Sequence, residues 1–142
     1  MELKVKLDEG AVLPHRAHPT DAGADLFAPR DVMVPAKGSA VVDTGVHVEL
    51  PPNTVGMIKS KSGLNVRDSI LSEGVVDEGY TGSVVVKLYN HGDRPVMLAK
   101  GSKVSQLVVM PVLYPDIVEV EEVGGGPRGD GGFGSTGSGL GA

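Results

Sequence analysis

Apolar and polar residues alternate along this chain in short runs, a period of two that leaves little room for helices. "ELKVKL" puts Leu3, Val5 and Leu7 on one face and Glu2, Lys4 and Lys6 on the other. "DVMVP", "SAVVDTGVHVELP", "TVGMIKS", "GSVVVKLYN", "PVMLAKGSKVSQLVVMPV" and "YPDIVEVEEV" are further strand candidates. Between them stand "PRD", "PAKG", "PPN", "NHGDRP" and "KGSK", all turn chemistry. Strands recurring about every ten residues point to an all-β sandwich or barrel. The one plausible helical turn lies around Gly63–Asp68. No internal repeat is visible.

The core of such a fold has to be aliphatic, because aromatics make up only 4% of the chain and tryptophan is absent. Valine is abundant, and its branched side chain suits a pleated surface. The last 19 residues, Gly124 to Ala142, hold ten glycines and a single aromatic, Phe133, so they cannot build a core. The organisation expected is a domain over residues 1–123 and a flexible arm over 124–142. The net charge of −5 argues against a broad basic face for nucleic acid. It leaves open a phosphorylated small molecule, which needs only a few local donors. With no cysteine, disulfides and thiolate metal sites are excluded. "MELKVKLDEG" lacks an apolar leader region, and no apolar run approaches about 18 residues. The expectation is a cytoplasmic protein that does not enter a membrane.

Several short motifs carry chemistry. In "EGVVDEGYTGSVVVKLYN", Val75 and Val76 lead into Asp77, and Gly79-Tyr80-Thr81-Gly82 turns the chain into Val84–Leu88. This reads as a β-hairpin. Its Asp is either a solvated turn residue or a general base within reach of a water. In "KSKSGLN", hydroxyls, ammonium groups and free N–H groups at a helix start suit an anion. An ordinary N-cap serine among solvated lysines is the plainer alternative. "DAGADLFAP" presents Asp21 and Asp25, as turn residues or as holders of a magnesium-bound water. "GFGSTG" matches G-x-G-x-x-G, but no helix can follow it, which rejects a dinucleotide site. "RGD" at Arg128–Asp130 is taken as accidental. A plain spacer needs no Arg, Phe, Ser or Thr. In the arm, Arg can grip a terminal phosphate, Phe can stack on a base, and Gly lets main-chain N–H groups approach phosphate oxygens.

In this order the motifs closely resemble the trimeric dUTPases. "AGADL", "SKSGL", "GVVDEGYTG", "KGSKVSQL" and "RGDGGFGSTG" look like the five motifs of that family, from about Leu13 to Gly137. The resemblance implies a jelly-roll-like β fold, a homotrimer with sites at subunit boundaries, and an arm that closes over a site shared with other subunits. Nineteen extended residues span roughly 60 Å, enough to reach a neighbour. It further implies hydrolysis of dUTP to dUMP and pyrophosphate, limiting uracil in DNA and supplying dUMP for thymidylate synthesis. Asp77 would activate water for attack on the α-phosphorus. Tyr80 would lie beneath the deoxyribose. Main-chain groups around Gly74, Tyr80 and Val85 would read uracil. Lys61, Ser62 and Gly63 would meet phosphate oxygens, and Gln106 would position substrate or water. Arg128, Gly134, Ser135 and Thr136 would close on the terminal phosphates, with Phe133 over the base. Asp25 would hold Mg2+ through coordinated water.

The chain departs from that pattern in places. Lys61 and Lys103 stand where relatives often carry Arg, and Lys lacks the planar fork. Leu71-Ser72-Glu73 supplies no Asn to hold uracil, which shifts recognition toward the backbone. The competing readings are a dCTP deaminase-like or bifunctional enzyme, with Glu73 or Glu78 shuttling protons, and a jelly-roll structural or phage-type regulatory protein.

Overall fold

The computed structural model describes residues 1–140. The nine strands are β1 (Lys4–Leu7), β2 (Gly23–Phe27), β3 (Val32–Val34), β4 (Ser39–Glu49), β5 (Thr54–Lys59), β6 (Ile70–Val76), β7 (Ser83–Asn90), β8 (Val96–Leu98) and β9 (Lys103–Pro111). Among the described residues one helix, α1 (Ser62–Asp68), interrupts them. Every pairing is antiparallel. Seven strands form one curled sheet in the order β1-β4-β7-β6-β5-β9-β2, and β3 and β8 form a small second sheet. This is the jelly-roll-like all-β fold expected.

Alternation places the core. Along β7, Val84, Val86, Leu88 and Asn90 are buried while Val85, Lys87 and Tyr89 face out. Along β4, Val42, Thr44, Val46 and Val48 point in. Each such Val or Leu, fully buried, contributes roughly 1.5–3 kcal/mol relative to an exposed one. Asn90 is affordable inside because its amide donates to the carbonyls of Val34 (3.2 Å) and Arg94 (2.8 Å). Among the described residues no buried side-chain polar atom lacks a partner.

Three readings change. "GADLF" is a strand, β2, although the sequence around it suggested turns. Asp21 does form a turn, accepting from the His18 amide at 2.9 Å, but Asp25 lies in the ladder opposite Gln106. Small residues make this possible. A Cβ on Gly23 would sit 2.1 Å from Gln106 Oε1, so only glycine lets that side chain cross β2. "YPDIVEVEEV" forms no strand in the described chain, and Ile117, Val118, Val120 and Val123 stand exposed. Its alternation has no partner strand among the described residues. The helix starts at Ser62 with Lys61 as N-cap and no side-chain cap, so Ser62 is not the capping serine. Among the described residues no helix is long and apolar enough to cross a membrane.

Candidate active site

Two corners gather the residues singled out in the sequence. The first lies where β2, β9 and the start of α1 meet. The Asp25 carboxylate, only 4% exposed, accepts a hydrogen bond from Lys61 Nζ and pairs with Lys103 Nζ at 3.0 Å. Burial pushes its pKa up, but the two lysine hydrogen bonds and charges outweigh this and hold it below the usual carboxylate value. Two ammonium groups on one carboxylate leave a surplus positive charge. Lys61 and Lys103 remain 27% and 46% exposed, so that surplus is open to solvent and to an arriving anion. The first helical bond runs from the Asn65 amide to the Lys61 carbonyl (2.9 Å), which leaves the N–H groups of Ser62 and Gly63 without a helical acceptor. Gln106 crosses Gly23 and donates from Nε2 to the Ser60 carbonyl at 2.9 Å.

Behind this corner lies a set of serines that sequence reasoning missed. Ser72 and Ser105 are buried with their hydroxyls 2.8 Å apart. Ser105 donates to the Lys59 carbonyl (2.9 Å), and Ser60 Oγ accepts from the Ser72 amide (2.9 Å). The backbone entering α1 is thus fixed from below. No local motif announces this, because the three serines meet only through strand register.

The second corner is a fork. β6 pairs with β7 only over Ile70–Ser72. From Glu73 to Val76 it pairs instead with β5, while β7 near Val85 pairs with β4. The hairpin read from the sequence therefore opens toward its tip. Between its arms lies a slot of about 230 Å³, lined by Ile58, Gly74, Asp77, Tyr80 and Val85 among others. The edges of Gly74–Val76 and Ser83–Val85 that face it have no ladder partner, so main-chain donors and acceptors remain for a ligand. A Cβ on Gly74 would come within 3.3 Å of Ile58 Cδ1, so glycine keeps this edge close to the floor.

Asp77 stands at the mouth of the slot. Its carbonyl accepts from the Tyr80 amide (3.1 Å) across a turn in which Gly79 takes φ +88°. Among the described residues its carboxylate has no hydrogen-bond partner. Neighbouring Glu78 is turned away, accepting from the Asn53 amide at 2.6 Å and the Tyr114 hydroxyl at 2.8 Å. That bond to Glu78, with burial and the nearby negative charges adding, raises the pKa of Tyr114. Tyr80 folds over Gly82, where a Cβ would lie 2.4 Å from its Oη, and donates to the Ser83 carbonyl at 2.9 Å.

The arm joins neither corner by a hydrogen bond among the described residues. Arg128 donates instead to the carbonyls of Gly131 (3.0 Å) and Gly132 (3.1 Å) and to Ser135 Oγ (3.1 Å). Phe133 is fully exposed, and Gly134 and Thr136 lie in the turns that follow. The structure thus unites Asp25, Lys61, Lys103 and Gln106, with Ser62 and Gly63 alongside. It unites Gly74, Asp77, Tyr80 and Val85 in the slot, and holds the arm residues apart from both.

A cationic corner suited to an anion, and a slot edged by main-chain groups with one carboxylate at its mouth, together define a nucleotide-handling β protein. The chain belongs to the dUTPase family, whose model matches residues 9–137. It is 43% identical over 141 residues to the deoxyuridine 5'-triphosphate nucleotidohydrolase of Clostridium acetobutylicum, covering 96% of this chain and 97% of the relative. The enzyme of that name from Arabidopsis thaliana is 42% identical over 93% of this chain and 80% of its own. Among solved structures, Staphylococcus bacteriophage 80alpha dUTPase with dUpNHpp aligns with a TM-score of 0.85 at 31% identity, over 96% of this chain and 99% of the other. The dUTPase of phage phi11 of S. aureus, described with a structural Mg(II) ion, aligns at 0.79 and 28% identity, over 86% and 98%.

Proposed function

We propose that the chain hydrolyses dUTP to dUMP and pyrophosphate, with Asp77 as the base that activates the attacking water. The observation that carries this is the forked hairpin, which sets a carboxylate with no partner among the described residues at the mouth of a slot edged by backbone. Uracil offers an N3–H donor and an O4 acceptor, and cytosine reverses the pattern. Main-chain groups cannot swap donor for acceptor, so the wrong base leaves buried polar groups unpaired at ~1–3 kcal/mol each. Tyr80, laid against the hairpin, underlies the sugar and crowds a ribose 2′-hydroxyl. The triphosphate runs from the slot to a corner formed by Lys61, Ser62, Gly63 and Gln106. The arm, through Arg128, Ser135, Thr136 and Phe133, closes over it and excludes bulk water.

The two halves of this site come from different copies of the chain, in a homotrimer. On one chain, Glu73 of β6 pairs with Lys59 beside the cationic corner. Asp77 lies four residues further along, ~13 Å at strand rise. Exposed apolar residues on the outer faces of β4, β6 and β7, among them Val41, Val75 and Tyr89, offer a surface for a neighbour. Leu113, Ile117, Val118, Val120 and Val123 of the segment before the arm add a second apolar row. Light scattering is expected to give three copies per particle.

Magnesium fits the first corner only in company with the nucleotide. Among the described residues no cluster of three or more His, Asp or Glu could hold a metal. Asp25 is one carboxylate already accepting from two ammonium groups. Roughly two of its four lone-pair positions remain for coordinated waters. A bare dication is repelled by the lysines, but one chelated by a triphosphate arrives with net negative charge. Asp25 would hold it through water, and the ion would neutralise charge on the phosphate oxygens.

The deaminase alternative loses its carboxylates. Glu73 is paired with Lys59 at 3.0 Å and Glu78 with Asn53 and Tyr114, so neither stands free at a base. The deciding experiment offers each deoxynucleoside triphosphate with magnesium and assays pyrophosphate and ammonia. Pyrophosphate from dUTP alone is expected. Ammonia from dCTP would overturn the reading.

A further inference from the structure

The hairpin tip that carries Tyr80 is not self-supporting. It is set in a bulge of β4, where the register with β7 shifts between Asp43 and His47 and Gly45 adopts φ +68°. Four side-chain contacts bridge the two. Ser83 Oγ donates to Asp43 Oδ1, and the Gly45 amide reaches both that oxygen (3.0 Å) and Ser83 Oγ (3.1 Å). Thr44, fully buried, donates from Oγ1 to the Val84 carbonyl at 2.6 Å and accepts from the Val46 amide at 3.2 Å. His47 Nδ1 lies 2.7 Å from the Thr81 carbonyl. Thus Thr81, Ser83 and Val84 are each tied to the bulge, and the Tyr80 hydroxyl is tied in turn to the Ser83 carbonyl.

We propose that this bulge is a positioning device for sugar selectivity, in which Asp43, acting through Ser83, sets the tilt of the Tyr80 ring. The inference rests on the reading that Tyr80 underlies the deoxyribose. Its physical basis is a short chain of constraints. The Tyr80 ring has two soft torsions, and Gly82 leaves the space it lies in open. One hydrogen bond, to a carbonyl, stops it there. How well that carbonyl is placed depends on what holds Ser83, and a carboxylate acceptor makes the firmest hold available. A ring that rocks by a fraction of an ångström admits a 2′-hydroxyl more readily, because steric exclusion rises steeply with distance. Asp43 touches neither substrate nor water in this scheme and is a positioning residue.

The test is the ratio of kcat/KM for dUTP to that for UTP. Partial unfolding lowers both values equally and leaves the ratio unchanged, so a variant that folds poorly still reports. Asp43→Asn, which keeps the shape but loses the charge, and Ser83→Ala should each lower the ratio by about tenfold, the loss of one charge-assisted hydrogen bond. The double variant should lose little more than either alone, because both cut one relay. Ser83→Thr, which keeps a hydroxyl, should retain the parental ratio. Tyr80→Ala serves as the reference. If it collapses the ratio while Asp43→Asn and Ser83→Ala leave it intact, the relay is wrong and the sugar reading stands. If Tyr80→Ala itself leaves the ratio intact, the sugar reading is wrong and the relay falls with it.

Discussion

The cationic corner and the forked slot solve recognition in opposite ways. The corner is built from side chains: one buried carboxylate gathers two lysines, and the surplus charge is open to an anion. The slot is built from backbone, left over where two strands of a hairpin part company. Charge is read by charge and tolerates some freedom in where the groups sit. A base edge is read by donors and acceptors whose order must be fixed, and a main chain held in a sheet fixes it. Damage to each should therefore look different.

The largest effect is expected at the slot's mouth. Asp77→Asn keeps the volume of the side chain but cannot take a proton from water. It should lower kcat by about a thousandfold with KM little changed, the signature of a lost general base. Steady-state pyrophosphate release measures it. Turnover near the parental rate would remove Asp77 from the chemistry and leave the slot as a binding feature only.

At the corner the expected effect is on stability. Asp25→Asn removes the negative charge and leaves one acceptor oxygen where Lys61 and Lys103 use two, and should cost about 2 kcal/mol. This is less than a fully buried pair would lose, because both lysines reach solvent. The folded pKa of Asp25 lies below its unfolded value of 3.8. Its contribution is therefore present above that pH and lost as pH falls through the folded value. Melting curves on acidification should be steeper for the parent than for Asp25→Asn. The dUTP-to-UTP preference of that variant should match the parent, because sugar reading belongs to the slot. A changed preference would break the division between the two regions.

Thr44→Val probes the slot without touching it. The swap is close to isosteric, but it strips the Val84 carbonyl and the Val46 amide of their buried partner. A loss of about 1.5 kcal/mol is expected in denaturant titrations. The KM for dUTP should rise, while inhibition by pyrophosphate, which needs only the corner, stays as in the parent. Weakened pyrophosphate inhibition would mean the two regions are mechanically joined.

The same contrast explains what could be read in the sequence. Strand β4 and strand β7 were plain because one face of each is buried, and alternation records that. β2 was not, since Gly23 and Ala24 carry no pattern and the smallness of Gly23 matters only once Gln106 lies across it. Asp25, Lys61 and Gln106 were legible as members of motifs. The gathering of Lys61 and Lys103 on Asp25 was not, nor were Ser72 and Ser105 beneath it, because register alone brings them together. Asp77 and Tyr80 are legible in the sequence as part of a hairpin turn. That the hairpin forks depends on β6 changing partners at Glu73, and a change of partner leaves no trace in a single strand's composition.

The smallest expected effect sits outside the slot, where His47 holds the hairpin tip at Thr81. His47 bridges the Thr81 carbonyl at Nδ1 and the Asp8 carboxylate, 3.0 Å from Nε2. Only the imidazolium can donate to both. The neutral ring, donating to Thr81, turns a lone pair toward Asp8. The Thr81 bond first, then Asp8, therefore raise the His47 pKa above 6.5, against the opposing pull of desolvation and Lys6; Asp43 is the other carboxylate in range. Because the folded value is the higher one, the stabilisation is complete below the unfolded value and fades as pH rises through the folded one. The parent should thus lose melting temperature over that interval and His47→Gln should lose less. Equal slopes in the two proteins would show that the hairpin tip does not depend on the charge of His47, and would leave the bulge's hold on the slot to Asp43 and Thr44.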